Sequence, residues 1–502
     1  MKKLSFWALL LSLGAAMVAR AELQLPALFS DNMVIQQGVP VTIWGWADEG
    51  EKVTVKLRGQ EVSATTRNLK WSLNLRPLEA GGPGMLTIAT ETETRTLTNV
   101  LVGEVWVCSG QSNMEWPLSR AFQAEADIAA ATNMLIRLFR VPKEKAEAPT
   151  VRINSTWTES TPETAARFSA VGYYFGRDLQ AARKVPVGLI QSDWGGSPAE
   201  VWMSREALEI NDGYRTDILE AGDKAWQRYQ AAMVEFKTEK ALANSKGGKF
   251  EKDPPKFGWR PTELYNAMIA PLIPYAIKGA IWYQGESNAG RAEQYRTLFP
   301  DMIRNWRRDW GRDDFPFLCV QLAPWMAIQA QPQESAWAEL REAQLLATKV
   351  VPKVGMAVIT DVGDPKDIHP TKKQPVAARL ALAARAIAYG EKIEFSGPLY
   401  REMKVADGKI ILRFAHVGKG LEARDGELKG FAICGEDRKF VWAKAEILPD
   451  NTVAVSSPEL SNPVAVRFGW ADYPVVNFWN KDNLPASPFR TDDFPLTTAG
   501  KK

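Results

Sequence analysis

Across residues 23–100, apolar and polar positions alternate in short runs broken by Gly, Asp and Pro. Val41-Thr42-Ile43-Trp44-Gly45-Trp46, Lys52-Val53-Thr54-Val55-Lys56-Leu57 and Met85-Leu86-Thr87-Ile88-Ala89 all carry this period of two. A strand with one buried face has that period, so residues 22–98 predict a small β-sandwich-like domain.

From Asn99 the texture changes. Val100-Leu101-Val102-Gly103-Glu104-Val105-Trp106-Val107-Cys108 is almost continuously apolar, as a strand buried on both faces of a parallel sheet must be. Comparable runs recur at 185–190, 277–283, 315–322 and 354–360, with helical patterns between them. Strands alternating with helices predict an α/β domain with a mainly parallel sheet over residues 99–390. Within it, residues 204–243 read as a charged helical stretch, followed by a loose Lys/Gly/Pro segment at 246–256. Together they predict an insertion or lid. An Ala/Leu/Arg-rich helix over 371–389 closes the region. Beyond Gly390 the alternation returns, as in Lys409-Ile410-Ile411-Leu412-Arg413-Phe414, and predicts a C-terminal β domain over 391–495.

The first residues read as an address. Lys2 and Lys3 precede an apolar stretch to Val18, and Ala19-Arg20-Ala21 fits a small-x-small cleavage site. This pattern predicts a secretory signal over 1–21, cleaved after Ala21, and a secreted or periplasmic protein. No later run is long and apolar enough to span a bilayer. The whole chain carries 62 Lys+Arg and 59 Asp+Glu. Removing Lys2, Lys3 and Arg20 leaves 59 of each sign, a balance that gives no sign of a nucleic-acid partner.

Three cysteines allow one disulfide at most, and Cys108 and Cys319 lie in apolar runs that suit small buried hydrophobes. Only His369 and His416 are present, which argues against a multi-histidine metal site. Any histidine-based chemistry must use one of the two. The 19 tryptophans bring carbohydrate into view as a substrate, because indole faces stack on sugar rings.

Four polar loops follow apolar runs, where the functional residues of open α/β sheets gather. In Ser109-Gly110-Gln111-Ser112-Asn113-Met114, Ser112 reads as a nucleophile on a strand-to-helix turn. It reads equally as a helix N-cap, with Glu115 completing a capping box. Asp193-Trp194-Gly195-Gly196-Ser197 offers either backbone amides to an oxyanion or simply a turn. In Trp282-Tyr283-Gln284-Gly285-Glu286-Ser287-Asn288, Gln284 and Asn288 are candidate side-chain donors. In Asp361-Val362-Gly363-Asp364-Pro365-Lys366-Asp367-Ile368-His369-Pro370, His369 has three nearby carboxylates. It is the better base, since His416 lies in a strand-like run.

At these four segments the chain resembles the sialate O-acetylesterase family of the SGNH hydrolases. Supporting stretches are Leu264-Tyr265-Asn266-Ala267-Met268-Ile269-Ala270-Pro271-Leu272 and Asn483-Leu484-Pro485-Ala486-Ser487-Pro488-Phe489. The resemblance implies an SGNH-type three-layer catalytic domain between the two β domains. It implies Ser112 as nucleophile and His369 as base. The Ser112 and Gly196 amides and the Gln284 side chain then form the oxyanion hole. Many relatives place the acid three residues before the histidine, but Lys366 stands there. Asp367 is the expected acid, Asp364 the reserve, and a Ser-His dyad a third arrangement. No metal or organic cofactor is implied. The partner is an O-acetylated sugar or glycan, with acetylated sialic acid and acetylated xylan both compatible. Two rival readings are a glycoside hydrolase using carboxylates such as Glu104, Glu115 and Glu286, and a non-catalytic glycan-binding protein.

Overall fold

The computed structural model describes residues 22–502; the expected signal at 1–21 lies outside them. The first strands are β1 (Val34–Gln36), β2 (Val41–Trp46), β3 (Lys52–Leu57), β4 (Gln60–Thr65), β5 (Lys70–Leu75) and β6 (Gly81–Ala89). Strands β2 and β5 pair antiparallel, and β3 pairs with both β4 and β6. Buried Ile43 and Leu73 from the first pair meet Val53, Val55 and Ile88 from the second set in one core, the outcome that period-two alternation dictates.

Strand β7 (Thr94–Gly110) is 17 residues long and serves two sheets. Its first half pairs with β6 and β1. Its second half becomes the middle of the central sheet and leads into the short helix α1 (Ser112–Glu115). The central sheet also contains β8 (Ile136–Arg140), β9 (Trp157–Glu159), β10 (Val187–Asp193), β11 (Gly279–Tyr283), β12 (Phe317–Val320) and β13 (Val354–Ala357), in the order β13-β12-β11-β7-β10-β8-β9. All these pairs are parallel except β8 with the edge strand β9.

The remaining long helices are α2 (Ala170–Arg183), α3 (Ala221–Ser245), α4 (Ala292–Asp309), α5 (Ala336–Val350) and α6 (Lys373–Tyr389). Trp106, Cys108, Ile281, Tyr283, Leu318 and Val320 pack with Phe175 of α2 and Leu380 of α6. The intervening Val105, Val107, Trp282 and Phe317 share the opposite core with Trp306 of α4 and Leu340 of α5. Each strand thus buries both faces, and the domain has three layers. Beyond α6, small antiparallel sheets between residues 399 and 490 enclose Ile410, Leu412, Phe431, Phe468, Phe478 and Phe489. The fold is α/β, with a mainly parallel sheet flanked by β regions at both ends.

The charged stretch forms short helical turns followed by α3, whose 25 residues bury only Phe236. All three cysteines are buried and unpaired. No helix among the described residues is long and apolar enough to cross a membrane.

Candidate active site

Parallel register brings three strand ends to one level: Gly110 lies beside Asp193 on one side and Tyr283 on the other. Gly110 has φ +141°, and a Cβ there would sit 2.2 Å from the Tyr283 carbonyl oxygen. Only glycine fits so close a backbone crossing. Gln111 is the residue that caps α1, and it makes no side-chain cap bond. Ser112 is therefore the first helical residue, so the capping-box alternative does not hold. Its Oγ lies 2.9 Å from His369 Nε2. Glu115 points elsewhere, accepting the Gly195 N–H at 2.7 Å and pairing with Lys143 at 2.5 Å.

His369 sits on the loop between β13 and α6. Its Nδ1 is 3.2 Å from Asp367 Oδ1, and the same oxygen accepts the His369 backbone N–H at 2.9 Å. With Nδ1–H donating to Asp367, Nε2 presents its lone pair to the Ser112 hydroxyl. The Asp367 side chain is 53% exposed, so water competes for it. Trp116 stacks on the imidazole at 5.4 Å and 20°. Asp364 instead accepts the Lys366 N–H at 2.8 Å, within its own turn. His416 pairs with Glu394 in the C-terminal region, at 2.7 Å.

Gly195 packs tightly on the serine, since a Cβ there would lie 3.2 Å from Ser112 Cβ. Its N–H is committed to Glu115. Gly196 adopts φ +75°, and its N–H makes no hydrogen bond to the described residues. Its carbonyl accepts the Trp259 indole N–H at 2.7 Å. The Ser112 N–H lies at the open start of α1, where no helical carbonyl can reach it. Gln284 differs from expectation. Its Nε2 donates to the Ser197 carbonyl at 3.2 Å and to Asn288 Oδ1 at 2.7 Å, while Oε1 accepts the Tyr295 hydroxyl at 2.9 Å. Both amide hydrogens are thereby engaged, and the side chain braces the Gly196-Ser197 turn from below. Asn288 donates to Glu200 at 3.0 Å.

Beneath Ser112 runs a buried polar chain. Asn113 Nδ2 donates to Glu286 at 2.7 Å and to the Ile368 carbonyl at 3.0 Å, and Asn113 Oδ1 accepts from Lys373. Burial pushes Glu286 up from the ordinary carboxylate range. Burial also lowers Lys373 to about 7, against the opposing pull of Glu286 and Asp367. Asp193 is pushed up to about 7 by burial and by neighbouring Glu115. Sequence reasoning missed Lys373, although one signal was readable: a cation in the first turn of a helix opposes the helix dipole.

Of the rival carboxylates, Glu115 and Glu286 flank Ser112 but are held by Gly195, Lys143 and Asn113, and Glu104 stands apart. Glu104 binds Gln36 and Gln37 at 3.0 and 2.6 Å. It precedes Gly110 by six positions on one strand, about 20 Å at the usual rise. Among the described residues, no three His, Cys, Asp or Glu side chains cluster as a metal site needs.

The chain is also similar to known proteins. Residues 102–387 match the family described as carbohydrate esterase, sialic acid-specific acetylesterase. The sialate O-acetylesterase of Mus musculus is 32% identical over 518 residues, covering 92% of this chain and 93% of the mouse protein. Its Homo sapiens counterpart is 30% identical, covering 92% and 91%. The crystal structure of a carbohydrate acetylesterase from Xanthomonas citri aligns with TM-score 0.82 at 38% identity, covering 94% of this chain and 100% of that one.

Proposed function

The chain belongs to the sialic acid-specific acetylesterase family and is a carboxylic-ester hydrolase, and from that premise we propose that it removes acetyl groups from sugar hydroxyls through Ser112, His369 and Asp367. The observation that carries the reading is the 2.9 Å approach of His369 Nε2 to Ser112 Oγ.

His369 takes the Ser112 proton as Oγ attacks the acetyl carbonyl carbon. The oxyanion is held by the Ser112 and Gly196 N–H groups, which have no hydrogen-bond partner among the described residues. Gln284 sets the position of that turn through Ser197. On collapse, the carbon–oxygen bond to the sugar breaks and His369 returns the proton to the departing sugar oxygen. Water, deprotonated by the same histidine, then cleaves the acetyl-enzyme to acetate. Asp367 holds the imidazole in the required tautomer. In this reading residues 99–390 form the catalytic unit between two β domains, and the signal at 1–21 exports the chain.

Release of p-nitrophenol from its acetate ester by wild type and Ser112→Ala tests the proposal. Loss of the nucleophile should lower kcat by about a thousandfold or more. Equal activity in the alanine variant would refute it, and new reducing ends from a glycan would favour a glycosidase.

A further inference from the structure

Beside the oxyanion turn lies a recess that acyl transfer does not use. Trp259 joins it to the site: its indole N–H holds the Gly196 carbonyl, and its ring meets Trp194 edge-on at 5.3 Å. Lys145 Nζ lies 4.3 Å from the Trp259 ring centre and also lines the recess. The next residue, Arg260, enters a cleft of about 330 Å³ beneath α3.

One wall of this cleft is aromatic. Trp226 and Tyr229, three positions apart on α3, stack at 5.2 Å and 28°. Phe257 packs 5.0 Å from one and 5.2 Å from the other. The other wall is charged but balanced. Its cations are Lys145, Arg205 and Arg260, and its anions are Glu147, Asp223 and Glu263. Each cation already has an anion: Lys145 with Glu263 at 2.8 Å, Arg260 with Glu147 at 2.7 Å, and Arg205 with Asp223 at 3.8 Å.

A pyranose presents an apolar C–H face and a rim of hydroxyls. The face suits the aromatic wall. The rim suits a wall that sets donors (Lys145, Arg205, Arg260) beside acceptors (Glu147, Asp223, Glu263). A sugar carboxylate gains no unpaired cation here and would meet three carboxylates. We propose that this cleft binds an uncharged pyranose of a glycan chain whose acetylated residue sits at Ser112, so that neutral oligosaccharides are preferred over free acidic monosaccharides. The inference rests on the esterase reading for its link to turnover. It also accounts for α3, a helix with almost no buried face, as the wall of a binding site.

The test compares kcat/KM on acetylated xylose, acetylated xylotetraose and an acetylated, glucuronate-bearing xylotetraose. Wild type should prefer the neutral tetramer over the monomer by about tenfold. Trp226→Ala and, as an independent variant, Tyr229→Ala should bring that ratio close to one. Equal use of monomer and tetramer by wild type would overturn the proposal. So would a retained ratio in both variants, or a preference for the glucuronate chain. Calorimetric titration of wild type and both variants with unacetylated xylotetraose separates the two readings. Saturable binding weakened by either substitution supports the cleft even if no ester is turned over. Absence of binding, or binding unchanged in both variants, overturns it even if p-nitrophenyl acetate is cleaved.

Discussion

Asn113 donates a hydrogen bond of 3.0 Å to the carbonyl of Ile368, so the residue after the serine holds the residue before the histidine. Ser112 and His369 lie on loops far apart in the chain, and this carboxamide joins the two loops directly. Its other hydrogen goes to Glu286 and its oxygen to Lys373. Asn113→Ala would remove a partner from all three and let the histidine loop drift. We expect kcat on p-nitrophenyl acetate to fall by about 10- to 100-fold, because small displacements of reacting groups cost that much. Circular dichroism would confirm folding; an unchanged kcat would show that the loops position themselves without this link.

Asp367 predicts a milder loss. A buried triad aspartate is worth about 10⁴-fold in other enzymes, but here the carboxylate is half in water. Asp367→Asn should reduce kcat/KM by about tenfold, well short of the loss for His369→Ala. A loss matching that of His369→Ala would mean the acid is as strongly coupled as a buried one.

Lys373 makes stability depend on pH. Its ammonium is lowered from 10.5 to about 7 in the folded chain. Between those values the unfolded chain holds a proton that the folded chain does not, so stability rises with pH across the window. The burial penalty is complete below about 7 and gone above 10.5. Urea denaturation should therefore show a gain from pH 7 to pH 9 in wild type, reduced in Lys373→Met. An identical gain in the variant would assign it to other groups.

Asp193 runs the other way. Its carboxyl is raised from 3.8 to about 7, and Oδ2 is buried with no hydrogen-bond partner among the described residues. Folding takes up a proton between those values, so this group's contribution is complete below 3.8 and lost as pH rises through about 7. Asp193→Asn keeps an oxygen for the Gln191 amide, which now donates at 3.2 Å, and removes the titration. The variant should melt a few degrees above wild type at pH 8 and close to it at pH 4. A lower melting temperature at pH 8 would contradict this.

The layered sheet was legible because burial on both faces leaves apolar runs. Ser112 and His369 were legible as a pair through scarcity, there being only two histidines to consider. Direction was not. Gln284 stands in the expected block, yet its hydrogens turn inward toward Ser197 and Asn288, a choice set by packing around Tyr295. Glu115 was read as a capping partner because spacing alone cannot tell that Lys143 and Gly195 lie closer. The Asn113–Ile368 link needed tertiary structure, since nothing local relates residues so distant in sequence.

Strand β7 carries one further consequence. Leu101 is paired with Val34 in one sheet, while from Glu104 onward the same strand is paired with β10 in the other. The accessory sheet and the catalytic sheet thus hang on a single unbroken rail that ends two residues before the serine. A recombination breakpoint anywhere along that rail would strand an unpaired edge on both fragments. Separating the N-terminal β region from the central sheet would therefore break a continuous strand, and strain applied to the first has a direct mechanical path to the second.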